Sequence, residues 1–220
     1  MTRHAKRLRV GRAICTALLV LGLGGNVAAQ AKPPRSAKST APLDITALKA
    51  LGTKTAPITM EVFSDFQCPA CRDLYFQTVR PIIDNYVSAG KVYLIHRDMP
   101  LPIHPNSRVA ARYANAAARV HQMEKVVAAL FDKQAIWAAD GNVDGVVAAV
   151  LTKAQLNQVR KLVLGGTLDA GIDKDVALGN EFRVTQTPTT ILTYKGQTYP
   201  VVGVVSYYML KTFLEQLLKQ

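Results

Sequence analysis

The apolar positions of this 220-residue chain fall into two periods. Ile58-Thr59-Met60-Glu61-Val62-Phe63 and Lys91-Val92-Tyr93-Leu94-Ile95-His96 are apolar-rich runs of strand length. A third run, Thr189 to Tyr194, meets the Lys195-Gly196 turn and a returning run, Gln197 to Val202, so this part reads as a hairpin. Between the first two runs the period is helical, from Cys68 to about Ala89, and Gly90 stands where a glycine commonly ends a helix. Pro81 lies inside that stretch; having no N–H, it is expected to kink or restart the helix at Arg80. Residues 44 to 56 read as a short helix, with Asp44 as cap and Ile45, Leu48 and Leu51 at helical spacing. From Asn106 to about Gly165 the chain is alanine-rich and helical: Val109, Tyr113, Ala116, Ala117 and Val120 recur at three and four residues, as do Leu156, Val159, Leu162 and Val163. A further helix spans Leu168 to about Phe182, and Ser206 caps a final amphipathic one whose apolar face is Tyr207, Leu210, Leu214, Leu217 and Leu218. A strand, a helix and a strand joined over this length make a βαβ unit, so the first two strands are expected to be parallel with a right-handed crossover.

The N-terminal segment has a different character. Arg3, Lys6, Arg7, Arg9 and Arg12 precede an apolar run from Ala13 to Val27, the layout of a secretory signal peptide, and small residues at Val27, Ala29 and Ala31 offer cleavage sites. The rival, an uncleaved anchor, needs ~20 apolar residues, and Gly22, Gly24 and Gly25 dilute this run. Residues 1–31 are therefore expected to be a signal peptide, with the protein exported to the periplasm or another extracytoplasmic space. The formal charge of +12 shrinks accordingly: without those five basic residues, 22 basic against 15 acidic groups leave +7. Lys32, Arg35 and Lys38 lie in a Pro/Ser/Ala/Lys stretch with no apolar period, which reads as a tether; residues 32–56 are taken as linker and N-terminal extension. The remaining +4 is too small to argue for nucleic acid.

The candidate chemistry sits at the start of the first long helix, in Cys68-Pro69-Ala70-Cys71. A cysteine at a helix N-terminus faces unpaired backbone N–H groups and the positive end of the helix dipole, which favour a thiolate. Cys68 is therefore expected to be the attacking thiol, and Cys71, one turn on and more buried, the resolving one. Cys15 lies in the presumed signal, so the exported chain would hold this pair alone. A disulfide closing so short a loop removes little entropy from the unfolded chain, which makes stapling a poor reason for the pair and chemistry a better one. Pro69 takes the first helical position, where its missing N–H costs nothing.

The order β-α-β, helical block, α-β-β-α is that of an α/β thioredoxin fold with a helical insertion after the second core strand. Phe63-Ser64-Asp65-Phe66-Gln67-Cys68-Pro69-Ala70-Cys71, Met99-Pro100-Leu101-Pro102-Ile103-His104 and Thr187-Pro188-Thr189 resemble the DsbA-like family of exported thiol–disulfide oxidoreductases. The resemblance covers residues 57–220, with the insertion at about 104–171. It implies that Pro69 and Ala70 tune the redox pair; the family pattern has His where this chain has Ala70, so the thiolate should be less stabilised and the disulfide less oxidising than the ~−120 mV end of the scale. It implies that Thr187-Pro188 is a cis-proline loop facing the pair, with the Thr187 backbone pairing to an extended substrate segment. The family buries an acidic residue six positions before the first cysteine as a proton relay. That position here is Val62, and Glu61 is one residue off, so two fates are open for Glu61: relay through a bulge, or a partner-bonded or surface carboxylate on the opposite face.

Function expected from the resemblance is disulfide exchange with unfolded or folding exported proteins, most simply as donor, with a membrane quinone-linked partner restoring the disulfide. A reductase or isomerase of the same fold is the alternative that Ala70 keeps open, and a non-catalytic peptide or metal binder is a further one. Phe66 is either an apolar rim for substrates or a core aromatic, and Met123 and Trp137 are expected to pack the insertion. His96, His104 and His121 do not match the spacing of the usual zinc patterns, so no metal or other cofactor is expected. The 32–56 segment is too short for a separate dimerisation domain, and a monomer is the expected state.

Overall fold

The computed structural model describes residues 45–220; the expected signal peptide, Cys15 and most of the tether lie outside the described residues. Five strands form one mixed sheet: β1 (Ala50–Leu51), β2 (Ile58–Ser64), β3 (Val92–Asp98), β4 (Thr189–Tyr194) and β5 (Gln197–Val202), in the order β1-β3-β2-β4-β5. β2 and β3 are parallel, as a βαβ unit requires, and every other pairing is antiparallel. Pro200 is accommodated because β5 is an edge strand. The helical insertion follows β3, where the sequence places it. Among the described residues no helix is long and apolar enough to cross a membrane.

Residues 45–56 do not form the expected helix: a single 3₁₀ turn, Thr46–Lys49, leads directly into β1, which pairs antiparallel with β3, and Asp44, the expected cap, lies outside the described residues. Ile45 is buried, and Leu48 and Leu51 are half-buried against the hydrophobic core. At Pro81 the α-helical pattern restarts at Arg80, as expected, without the helix ending there. α1 (Pro69–Leu74) runs into a π turn (Tyr75–Val79), a short α segment (α2, Arg80–Ile82) and a second π turn (Ile83–Val87) without interruption. The Arg80 N–H reaches back five residues to the Tyr75 carbonyl, and that wider turn gives the proline ring the room a regular α turn denies it.

The insertion comprises α3 (Ser107–Ala118), α4 (Met123–Asp132), α5 (Gln134–Asp140), α6 (Val143–Ala148) and α7 (Lys153–Leu164), followed by α8 (Asp169–Glu181) on the return to the sheet. Trp137 is wholly buried among these helices, its indole N–H donating to the Leu130 carbonyl at 2.6 Å, and Met123 is buried with it. α3 departs from the expected stripe: Ala110, Ala111, Ala114 and Ala116 to Ala118 are all buried, while Val109, Tyr113 and Val120 are half-buried. A helix covered by α4, α7 and α8 needs small side chains all round, and alanine carries too little hydropathy to mark such a face. α9 (Tyr207–Leu218) closes the fold, with the Ser206 hydroxyl accepting from the Met209 N–H.

On the α8 side of the sheet lies a buried set of charges. Lys49, 1% exposed, donates to Asp98 at 2.7 Å and to Asp175; Arg97 donates to Glu61 Oε1 at 2.6 and 2.9 Å and to Asp175 at 2.9 Å. Asn115 and the Asp98 N–H supply further donors to these carboxylates. Burial alone would lower the Lys49 pKa, but the carboxylates of Asp98 and Asp175 outweigh it and hold the ammonium charged. The 3₁₀ turn is thereby joined to β3 and α8. Removing one partner of such a cluster leaves buried charge uncompensated, so Lys49→Met should lower the unfolding free energy by about 3–5 kcal/mol. Urea denaturation measures it, and an unmoved midpoint would show that the cluster does not support the fold.

Candidate active site at the start of α1

β2 ends at Ser64, and the turn Asp65-Phe66-Gln67 delivers the chain to α1 with Cys68 as N-cap. Cys68 has extended φ and ψ of −74° and 119°, Pro69 is at N1, and the Cys68 carbonyl accepts from the N–H groups of Cys71 and Arg72 at 3.1 and 3.2 Å. Both cysteines are free thiols; Cys68 is 8% exposed and Cys71 1%. The turn is held from several directions. Asp65, fully buried, accepts from the Gln67 N–H at 2.7 Å, the Leu101 N–H at 2.7 Å and His104 Nδ1 at 2.8 Å. Gln134 from α5 donates to the carbonyls of Phe66 and Cys68 at 2.7 and 3.0 Å. Phe66 is a core aromatic, stacked on Phe131 with ring centroids 5.2 Å apart, and so does not form an exposed rim.

From the far end of the sequence, the loop before β4 brings in Thr187 and Pro188. Their peptide bond is cis, and the Cys68 thiol lies 3.5 Å from the Thr187 carbonyl oxygen. The Thr187 hydroxyl is buried without a hydrogen-bond partner among the described residues. The Pro188 carbonyl accepts from Gly203 N–H at 2.8 Å; Gly203 has a φ of +82°, open to glycine at no steric cost.

These neighbours separate the two thiols electrostatically. The Cys68 pKa is lowered to about 5, chiefly by a hydrogen bond from the Cys71 thiol; burial opposes the shift, and the N–H groups of Cys71 and Ala70 add to it. The Cys71 thiol is pushed up, first by burial and then by serving as donor to Cys68; the Asp65 N–H, 3.4 Å from its sulfur, offsets only part of this. One sulfur is thus disposed to ionise and the other to keep its proton.

Glu61 has the second of its two fates. Strand alternation turns it to the α8 face, where Arg97 binds it, while its neighbour Val62 lies with Ser64 beside Cys71. A relay through Glu61 is therefore withdrawn, because its carboxylate is on the other side of the sheet and already paired. Of the histidines, His104 is bonded to Asp65 and His96 to Glu124 at 3.0 Å, and among the described residues no His/Cys/Asp/Glu group is arranged to hold a metal. The sequence reading missed Asp65, Gln134, and the His96–Glu124 pair, since each acts through partners 28 to 68 residues away.

The family model described as thioredoxin matches residues 46–199. Solved structures share the fold: BdbD from Bacillus subtilis in its oxidised form (TM-score 0.66, 22% identity, 78% of this chain and 93% of that one) and alpha-DsbA1 of Wolbachia pipientis (0.66, 21%, 77% and 89%). DsbA2 of Pseudomonas aeruginosa is a third, with a TM-score of 0.60 at 23% identity over 77% of this chain and 93% of its own. A curated relative, the Na⁺/H⁺ antiporter NhaA 3 of Salinispora tropica, is 37% identical over 68 residues, 30% of this chain, which spans only 10% of that protein.

A thiol with its folded pKa depressed gives the reduced protein stability that is complete above the ordinary value near 8.5 and is lost as pH falls through about 5. Thiolate absorbance of the reduced protein should accordingly titrate with one midpoint near 5 that Cys68→Ser removes. A midpoint at the ordinary cysteine value would contradict the arrangement.

Proposed function

The chain belongs to the thioredoxin family, and we propose that it is an exported thiol–disulfide oxidoreductase working through Cys68 and Cys71. The observation that carries this reading is the opposed pair of thiol affinities at one helix N-terminus: Cys68 lowered to about 5 and Cys71 raised. A substrate thiolate attacks Cys68 in the Cys68–Cys71 disulfide, Cys71 leaves, and a second substrate thiolate attacks the mixed disulfide at the substrate sulfur to release Cys68 as thiolate. The substrate gains a disulfide and the enzyme pair takes up two electrons. Stabilising the leaving thiolate favours this direction, because a low Cys68 pKa stabilises the reduced enzyme and makes its disulfide the stronger oxidant.

The supporting features extend beyond the pair. The cis Thr187-Pro188 loop, whose Thr187 carbonyl lies beside Cys68, suits recognition of an extended segment of an unfolded or folding protein by backbone pairing. The basic and apolar pattern of residues 1–31 supports export by a signal peptide, with residues 57–220 as the catalytic domain and a membrane quinone-linked partner returning it to the disulfide state. Ala70 favours a second reading, a reductase or isomerase, because it adds no charged donor to the thiolate. The N-cap position offsets this in part through the Cys71 thiol and backbone N–H groups.

Cys68→Ser should abolish both oxidation of a reduced test protein and reduction of insulin, whereas Cys71→Ser should accumulate a mixed disulfide with substrate on Cys68. Activity surviving in Cys68→Ser would defeat the enzyme reading. The reduction potential is expected between about −250 and −120 mV, and a value of about −250 mV or lower would turn the donor into a reductase.

A further inference from the structure

Each turnover requires Cys71 to gain a proton when it is expelled from the disulfide and to lose one when it attacks. Burial keeps its thiol from ionising into solvent. The carboxylates of β2 and of the turn before α1 do not serve: Glu61 is paired with Arg97 across the sheet, and Asp65 has both oxygens occupied by Gln67, Leu101 and His104; Asp73, two residues on from Cys71, is half-exposed and paired with Arg72. What lies under Cys71 is a cavity of about 10 Å³, near the minimum that holds one water, with Ser64, Cys71, Tyr75 and His96 as its polar lining.

His96 reaches this cavity because the parallel register sets it beside Val62, on the sheet face that α1 covers. Behind it, His96 Nε2 lies 3.0 Å from Glu124 Oε2, and the Tyr75 hydroxyl donates to Glu124 Oε1 at 2.5 Å. With Nε2–H given to the carboxylate, Nδ1 carries the lone pair and has no hydrogen-bond partner among the described residues. The His96 side chain is 12% exposed and that of Glu124 28%, so the pair leads from the buried cavity toward solvent.

Building on the oxidoreductase reading, we propose that His96, held by Glu124, exchanges the Cys71 proton through one water in this cavity. When the Cys71 thiol attacks the disulfide between Cys68 and a bound thiol compound, the new S–S bond forms to Cys68 and the partner leaves as thiolate. The Cys71 proton passes by way of the water to His96, and from there to solvent beside Glu124. In the opposite direction His96 returns the proton as Cys71 is expelled. The groups facing this route are Cys68 and Cys71, Tyr75 and Arg80 from the helical run, Glu124 from α4, and the neutral hydroxyls of Ser64 on β2 and Thr190, which stands opposite Val62 on β4. Burial and Glu124 keep Tyr75 protonated; burial would raise the Glu124 pKa, but bonds from His96 and Tyr75 and the nearby Arg80 charge outweigh it and keep that group ionised. His96 is left as the group on this route with a ring nitrogen free to carry the proton.

The test is stopped-flow reaction of the reduced protein with the aromatic disulfide dithiobis-nitrobenzoate. Attack by Cys68 releases the first coloured thiolate, and attack by Cys71 on the resulting mixed disulfide releases the second. The second phase should rise with pH through one inflection in the natural protein. In Glu124→Gln the second phase should slow, because the imidazole loses the carboxylate that holds Nε2–H and so points Nδ1 at the cavity. In His96→Gln the inflection should vanish, leaving a rate about 10²-fold slower at neutral pH and proportional to hydroxide. The first phase, unchanged in both variants, reports that the site is folded. An identical inflection in all three proteins overturns the proposal; a natural protein that shows no second phase overturns the oxidoreductase reading instead.

Discussion

The parallel register of β2 against β3 is the constraint from which both faces of the site follow. Pairing Val62 with His96 and Glu61 with Ile95 fixes, by simple alternation, which side chains stand under α1 and which face α8. A slip of one residue would put Glu61 beneath Cys71 and bury Val62 against α8. The register is set on one side by Ile58, Met60 and Val62, buried with Val92 and Leu94, and on the other by the Glu61–Arg97–Asp175 pairing. The two faces therefore have separate tasks: one holds thiol chemistry over an apolar floor, the other locks the sheet to α8 and the N-terminal turn through buried charge.

The redox pair draws its asymmetry from position more than from residue type. Cys68 at the N-cap is offered backbone N–H groups and the Cys71 thiol, while Cys71, three residues on, is enclosed and offered little. No charged side chain takes part in the Cys68 shift, so Ala70 leaves the thiolate with neutral donors only. Its affinity for a proton then lies between the ordinary thiol range and the values near 3.5 of the strongest dithiol oxidants.

The insertion contributes to the site as well as covering it. Gln134 on α5 fixes the two carbonyls that flank the turn before α1, Glu124 on α4 fixes His96, and the segment after β3 supplies the Leu101 N–H and His104 to Asp65. Each of these bonds joins a polar group of the core to a neutral or opposite partner in a buried setting, where leaving either one unpaired would be costly. The helical block and the thioredoxin core are joined at the place where the chemistry is proposed.

Much was legible in the chain. Strand-length apolar runs, the hairpin turn, the Ser206 cap and the Cys-Pro-Ala-Cys motif at a strand-to-helix junction each carry a local physical signal, so the fold class, the order of elements from β2 onward and the place of the cysteine pair at a helix start follow from the sequence alone. The continuity of the helix through Pro81 did not follow, because a π turn depends on how the surrounding packing resolves one lost hydrogen bond. Nor did the all-round burial of α3, since alanine gives no periodic contrast. Glu61 was legible only as a choice between two faces; the register and Arg97 decided it. The pairings of Lys49 with Asp98 and Asp175, of Asp65 with His104, and of His96 with Glu124 beside Cys71 join residues far apart in the chain. Ionisable groups carry no mark of their partner in sequence, so the tertiary structure alone decided which of them support the fold and which stand next to the reacting sulfurs.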